Sequence, residues 1–324
     1  MGKLIDNIRR YSQKNSSSLA FWWLPVYEGS GHYEWTKECA GDYYVDFSAK
    51  ANYKYLFDEK GVVLLDYKGK VGVQYNPCAI AQYGLGLYSC YLKDKNIELI
   101  AKMESQAEWL CNNVKEDRNG IGRLEYNFGM GDYAQNANEP YISAIAQGQA
   151  VSFLLRVGVL LNKKRYLEVA ESIYKCFCFN ITEGGVVNYD SEGRVYLEEA
   201  ITEKISCILD GFIYAMFGVY DYYQYTHDAI AKQLFEACCK TIKTRIQEFD
   251  LGFWSRADCY LEKPKMPASK FYHNVHIQQL KALFVLTNEE VYEIYAEKWD
   301  RYQRNSFFCF VAFLYKCWFK IFYY

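Results

Sequence analysis

From residue 76 onward the apolar residues recur at helical spacing. Ile80, Tyr83 and Leu87 form one stripe, and Leu99, Met103, Ala107, Leu110 and Val114 form a second. The next pair uses Ala150, Phe153, Leu154, Val157 and Leu161, then Leu167, Ala170, Ile173 and Tyr174. A third runs through Ile205, Leu209, Phe212, Met216 and Val219, then Ile230, Leu234 and Ile242. The fourth uses Ile277, Leu280 and Phe284, then Val291, Tyr295 and Trp299. Short polar turns, "LKDKN", "LNKKR", "YTHD" and "LTNEE", join the members of each pair, so the spacing predicts helical hairpins. The pairs also repeat: Tyr83, Gln147, Gly211 and Gln278 follow one another at intervals of 64, 64 and 67 residues. A fixed period of this size predicts stacked hairpins with a continuous core. Each first helix carries small or polar residues, "AQYGLG", "AQGQA", "LDGF" and "IQQL". If equivalent helices line the inside of a ring, those groups face one cavity, since a buried amide without a partner costs a few kcal/mol. Gln147 and Gln149 are therefore expected to line a central groove. The predicted fold is mainly α: an incomplete (α/α) toroid of about four helical hairpins, with a small N-terminal β element.

Outside the hairpins the pattern changes. Residues 1–75 hold "GDYYVDFSA" and "NYKYLFDEKGVVLLDYKGKVGVQY", whose Gly-containing turns predict a helix and β-hairpin element flanking the toroid of residues 76–306. Residues 307–324 form an apolar aromatic tail. The stretch "SFFCFVAFLYKCWFKIFYY" is 19 residues long and carries only Lys316 and Lys320 as charges. That is near the length of a membrane span. Its aromatic character and its internal lysines fit better a helix lying at a membrane surface, or docked on the body or a partner.

Composition narrows the partners. A net charge of −2 over 324 residues argues against nucleic acid held by bulk electrostatics. Aromatics make up 18 % of the chain and tyrosines alone number 32, a supply of flat faces with hydroxyls that suits a sugar and equally suits an aromatic core. Twelve cysteines without a CxxC pair predict free thiols in a reducing compartment. The N-terminal "MGKLIDNIRRYSQ" has no signal-peptide pattern, so the expected location is cytoplasmic, peripheral at the inner face of a membrane where the tail makes contact.

Phosphate-loop, dinucleotide, zinc-protease and serine-nucleophile motifs are absent. His273 and His276 stand three apart with no companion carboxylate, so they are expected to hydrogen-bond at a groove wall rather than ligate metal. Glu198 and Glu199 precede the third inner helix, as acid/base candidates or as complements to the helix dipole. "FYHNVHIQQL" gathers Tyr272, His273, Asn274, His276, Gln278 and Gln279 at the start of the fourth. The loop before it, "DLGFWSRADCYLEKPK", supplies Trp254, Arg256, Asp258 and Tyr260.

The segments "YNPCAIAQYGLGLYS", "PYISAIAQGQAVS", "CILDGFIYAMFGVYD", "FYHNVHIQQL" and "YAEKWDRYQ" resemble, in order and spacing, the C-terminal domain of the D-glucuronyl C5-epimerase family over about residues 75–305. The resemblance implies an (α/α) toroid with β elements that converts D-glucuronate to L-iduronate in heparosan-type polysaccharide. It also implies Tyr272 as a catalytic acid/base and Glu199 as the opposing base. Two departures stand out: Ala200 and Ala257 replace family tyrosines, with Tyr260, Tyr196 or Tyr141 as candidates to substitute. The expected substrate-binding set is Arg256, Asp258, Tyr260, His273, His276, Gln147, Gln149, Tyr141, Trp254 and Glu198. Arg256 is the candidate partner for the uronate carboxylate, or else a surface salt-bridge arginine. The chemistry is redox-neutral and calls for no cofactor and no metal. The expected partner is a uronic-acid-containing polysaccharide or oligosaccharide, and the resemblance adds a homodimer. A polysaccharide lyase and a non-catalytic glycan-binding descendant are the competing readings.

Overall fold

The computed structural model of the protein describes residues 17–36, 39–129, 140–198, 205–259 and 264–323. Four helical hairpins organise it: α1 (Pro77–Asp94) with α2 (Glu98–Asn113), α3 (Ala144–Leu161) with α4 (Lys164–Tyr174), α5 (Leu209–Thr226) with α6 (Ala229–Arg245), and α7 (Lys270–Thr287) with α8 (Glu290–Arg304). A last helix, α9 (Ser306–Tyr323), follows α8 directly. The first helix of each hairpin packs on the first helix of the next, α1 on α3, α3 on α5 and α5 on α7, while the second helices lie outside them. This is the incomplete (α/α) toroid that the period predicts.

The inner helices are buried nearly all round, whereas the outer ones bury a single stripe. On α6 that stripe includes Ala231, Phe235, Cys238 and Ile242: Ile242 is where the spacing puts it, but Ala231 and Phe235 take the places expected of Ile230 and Leu234, and Ile230 is exposed. Asp228 caps α6, accepting from the backbone N–H of Ile230 and Ala231, and this sets where the helix begins. Each inner helix ends on a residue in the left-handed conformation: Lys95, Asn162, His227 and Asn288. The polar turns of the sequence are therefore one structural device used four times.

At the crossing of α3 and α5 the backbones nearly touch. A Cβ on Gly148 would lie 2.7 Å from Ala215 Cα, and one on Gly218 would lie 2.2 Å from the carbonyl oxygen of Gly148. The glycine between Gln147 and Gln149 is there for this approach.

Residues 17–75 span from the first inner helix to the last. A 3-10 turn at Ser48–Asn52 packs on α1, while the ribbon of β1 (Tyr27–Glu28) and β2 (Val45–Asp46) lies against α7. A second ribbon pairs β3 (Leu65–Asp66) with β4 (Val73–Gln74). Fully buried Arg156 of α3 fastens this region to the ring. Its five N–H donors reach Gly41 O, Asp42 O, Ser152 O and both carboxylate oxygens of Asp221 on α5, at 2.5–3.0 Å. Tyr44 donates to the same carboxylate at 2.6 Å. A buried ion pair satisfied at every donor is tolerable, whereas one partner alone would be strongly destabilising.

Three further ribbons sit between hairpins: β5 (Lys115–Glu116) with β6 (Gly122–Arg123), β7 (Glu125–Tyr126) with β8 (Tyr141–Ile142), and β9 (Val187–Tyr189) with β10 (Val195–Leu197). The third inner helix begins at Leu209 rather than near Ile205, and Ile205 to Ile208 precede it as non-helical backbone.

Candidate active site

The first two turns of the inner helices converge on one small cavity of about 40 Å³. The ring contributes Gln82 from α1, Ile145 from α3, Asp210 and Tyr214 from α5, and Phe271, Tyr272 and Val275 from α7. The N-terminal region closes it with Trp22, Val26, Phe47 and Lys50. Aromatic faces, a cation, a carboxylate, an amide and phenols thus meet in one place. That is the inventory for gripping a sugar: apolar ring faces against aromatics, and hydroxyls or a carboxylate against polar groups.

Tyr272 is held there by its own helix start. Ser269 caps α7 and accepts from the backbone N–H of Tyr272 at 3.2 Å. The Tyr272 ring stands edge-on to Phe271 and Trp23, at 5.2 and 6.1 Å between centroids. Tyr214 is buried, and its hydroxyl hydrogen-bonds to nothing among the described residues. Burial raises its pKa well above the usual phenol value, with neighbouring Tyr43, Asp210, Cys78 and Tyr272 adding to the effect, so it stays a neutral donor.

The other polar residues of "FYHNVHIQQL" hold this arrangement together. His273 Nε2 meets the Trp299 carbonyl at 3.0 Å, so that nitrogen carries the proton. Its Nδ1 then accepts from Ser255, whose backbone N–H lies at 3.1 Å and hydroxyl at 2.7 Å, and Ser255 Oγ also lies 2.9 Å from His276 Nδ1. His276 Nε2 lies 3.9 Å from Asp210. Burial lowers the His273 pKa to about 3, and it stacks on Trp254 at 3.8 Å as a neutral ring. Asn274 donates to Val26 O at 2.9 Å, and Gln279 to Asp210 O at 2.9 Å. These side chains seat the cavity wall; the expected direct sugar contacts at His273 and His276 are not where the structure puts them.

The remaining expected site residues divide in the same way. Gln147 is buried and clamps both backbone groups of Leu124, at 3.0 and 2.8 Å, so it pins the connection of β6 to β7 instead of facing the cavity. Gln149 accepts from Gln82 at 3.0 Å and from Cys78 at 3.1 Å, one layer behind the lining. Trp254 donates to Ala268 O at 3.0 Å within the wall. Arg256 is buried in the same loop, its backbone N–H bonded to Phe249 O at 2.7 Å, and it does not reach the lining. Asp258 is buried with its backbone bridged to Ile208. Tyr141 stacks on Tyr126 at 5.1 Å behind Trp22 and Ile145. Tyr196 is occupied by Asp190 and Arg245, at 2.9 and 2.6 Å.

Glu198 is buried, and burial raises its pKa. Its carboxylate accepts from Ser206 Oγ at 2.5 Å and from the N–H of Cys207 at 2.8 Å, so it ties together the two ends of segment 199–204 rather than complementing a helix dipole. Glu199, Ala200 and Tyr260 lie outside the described residues. Lys50, Trp22, Asp210 and Tyr214 are cavity residues that the sequence reading did not name as site residues. For Asp210 a signal existed in the "LDGF" repeat position; for Lys50, within an irregular N-terminal region, there was none. Among the described residues no cluster of His, Cys, Asp and Glu has the makings of a metal site.

Fold and cavity define the class: an (α/α) toroid with an aromatic, charged central cleft. The family model described as D-glucuronyl C5-epimerase C-terminus matches residues 117–301, and the chain belongs to that family. The first hairpin lies before the matched stretch. The D-glucuronyl C5-epimerase of Caenorhabditis elegans is 30 % identical over 175 residues, which are 49 % of this chain and 28 % of that protein. An uncharacterized protein of Methanocaldococcus jannaschii is 27 % identical over 212 residues, 64 % of this chain and 67 % of its own length. Among solved structures, the unsaturated glucuronyl hydrolase of Bacillus sp. GL1, described as responsible for the degradation of glycosaminoglycan, aligns with a TM-score of 0.45 and 13 % identity over 72 % of this chain and 61 % of that one.

Proposed function

We propose that the protein is a uronosyl C5-epimerase that inverts C5 of glucuronate residues in a polysaccharide or oligosaccharide, glucuronate to iduronate, by two-base proton transfer. The observation that carries this reading is Tyr272 at the lining of the cavity where the inner helices of an epimerase-family toroid converge. In the reaction a base takes the C5 proton, and the C–H electron pair becomes the C5–C6 double bond of an enediolate. An acid on the other face then returns a proton to C5. The negative charge building on the carboxylate oxygens needs donors or a cation close by.

In this reading Tyr272 is the acid/base on one face. Glu199 is the opposing base, carried on the segment whose ends Glu198 joins. Asp210, which lines the same cavity as Tyr272, is a carboxylate within the cleft. Trp22 and Phe271 offer apolar faces to the pyranose.

Proton NMR in deuterium oxide with a panel of uronic-acid polysaccharides tests the proposal. The wild-type protein should exchange the C5 proton for solvent deuterium. Tyr272→Phe and Glu199→Gln should each lower exchange by at least ~100-fold, the ordinary weight of a general acid/base. Exchange at the wild-type rate in either variant removes that residue from the mechanism. Absorbance from an unsaturated uronate product would convert the assignment to a lyase, which begins with the same proton abstraction and then expels the C4 substituent.

A further inference from the structure

Lys50 is a charge in the cavity that has no ion-pair partner among the described residues. Its side chain is 1 % exposed. Its ammonium donates to the Phe21 carbonyl at 3.0 Å and lies 4.3 Å above the Phe21 ring. Among the described residues no carboxylate comes within ion-pair distance of it. Burying a cation with one neutral acceptor is expensive, and a sequence keeps such a group when something else supplies the counter-charge. The second observation is independent: Tyr214, which lines the same cavity, buries a hydroxyl without a partner among the described residues. Both groups are donors, and both border the same cleft.

We infer that Lys50 receives the carboxylate of the bound glycan, with Tyr214 donating to the same sugar. The inference rests on the reading above and moves the carboxylate site from Arg256, which is not among the residues lining this cavity, to the N-terminal region. It also gives residues 17–75 a role in the ring: they bring to the lining a cation that, among the described residues, the inner helices do not supply. An ammonium against the carboxylate would stabilise the charge that accumulates there as the C5 proton leaves.

Burial also pulls the Lys50 pKa down to about 7, with Cys78 on α1, Asp210 and Tyr214 on α5 and Tyr272 on α7 the titratable groups around it among the described residues. Binding an anion favours the charged form, so affinity for a uronate should weaken as pH rises through that value.

The test uses the full chain and two probes: an oligosaccharide of alternating glucuronate and N-acetylglucosamine, and the same oligosaccharide with its carboxyl groups reduced to alcohols. Calorimetry at pH 6 and pH 8 should show wild-type protein preferring the uronate form, and the preference shrinking at pH 8. Lys50→Met should lose the preference by roughly 10- to 100-fold, the weight of a charge-assisted hydrogen bond. Lys50→Arg, which stays charged, should keep a preference that no longer varies with pH. A Lys50→Met protein with wild-type circular dichroism and an undiminished preference overturns the inference, as does wild-type protein indifferent to the carboxyl group. Failure of the epimerase reading looks different: deuterium stays out of C5 while the uronate preference, and its loss in Lys50→Met, remain.

Discussion

His273 stands one residue from Tyr272, and the sequence marks both as site candidates, Tyr272 as acid/base and His273 as a groove-wall hydrogen-bonding group. One reaches the cavity; the other is stacked on Trp254 and bonded at both ring nitrogens. Helical geometry explains the division: with about 100° between successive residues, Phe271 and Tyr272 share the cavity side while His273, a further step round, turns to Trp254 and Trp299. A polar cluster in sequence therefore mixes groups that meet solvent or ligand with groups that satisfy the backbone behind them, and composition alone cannot sort the two. Gln147 falls on a hidden side of α3 in the same way, whereas Arg256 is placed by the backbone of the loop before α7. The burial of His273 has a measurable consequence. Its folded pKa of about 3 lies below the ordinary value, so it contributes stability that is present above pH 6.5 and lost as pH falls toward 3. Urea midpoints between pH 6 and pH 4 should fall with a slope that includes ~1.4 kcal/mol per pH unit from this one group. His273→Gln should be less stable at pH 7 but should lose stability less steeply on acidification. Equal slopes in the two proteins would mean that His273 titrates normally.

Elements were more legible than residues. The stripes and the turn signals located each hairpin, because an apolar face at 3.6-residue spacing and a polar turn are enforced by local physics. Boundaries moved where long-range contacts outweigh the local pattern. Ile205 belongs to an apolar stripe on paper, yet the chain there is held by Glu198 through Ser206 and Cys207, and the helix waits until Leu209. The inner glycines show the same limit. "AQGQA" and "LDGF" look alike in sequence, but Gly148 is pressed against Ala215 while Gly211 has only ordinary contacts with Ile208 at 3.8 Å or more. Opposite effects follow from one substitution. Gly148→Ala forces α3 and α5 apart and should destabilise by about 1–3 kcal/mol. Gly211→Ala reduces the freedom of the unfolded chain and favours the helix, and should stabilise by up to ~1 kcal/mol. Chemical denaturation of the two variants beside wild type checks both signs; a stabilised Gly148→Ala would mean that the two backbones are not in contact at this crossing.

At the scale of the whole molecule, two helices among the described residues have the length and apolarity of a membrane span, and the structure treats them oppositely. α3 is largely buried as the central helix of the ring, while only 11 % of α9 is buried. Sequence gave both the same signal, because hydropathy does not record what covers a helix. α9 docks through Ala312 and Phe319, and Lys316 turns inward to the Pro267 carbonyl at 2.7 Å, where burial lowers its pKa to about 8. That contact accounts for one of the two lysines inside the apolar run. The rest of the helix presents Phe307, Phe310, Phe313, Leu314, Trp318, Ile321 and Phe322 outward. It carries no acidic residue, and Trp318, Lys320 and Tyr323 gather at its far end, the residue types that favour the headgroup region. A helix lying on an anionic lipid surface fits this pattern better than one crossing the bilayer, since its docked face stays with the body. We propose that contact for α9. Co-sedimentation with phosphatidylglycerol-containing vesicles should capture the wild-type chain, with binding weakened by salt. Replacing Phe310, Phe313, Trp318 and Phe322 together by serine should reduce it by at least ~10-fold, since each buried aromatic contributes about 1.5–3 kcal/mol. Unchanged sedimentation in the variant removes the membrane from the picture. A concentration-dependent dimer, formed without vesicles and abolished by the same four substitutions, would assign the face to a second copy of the chain.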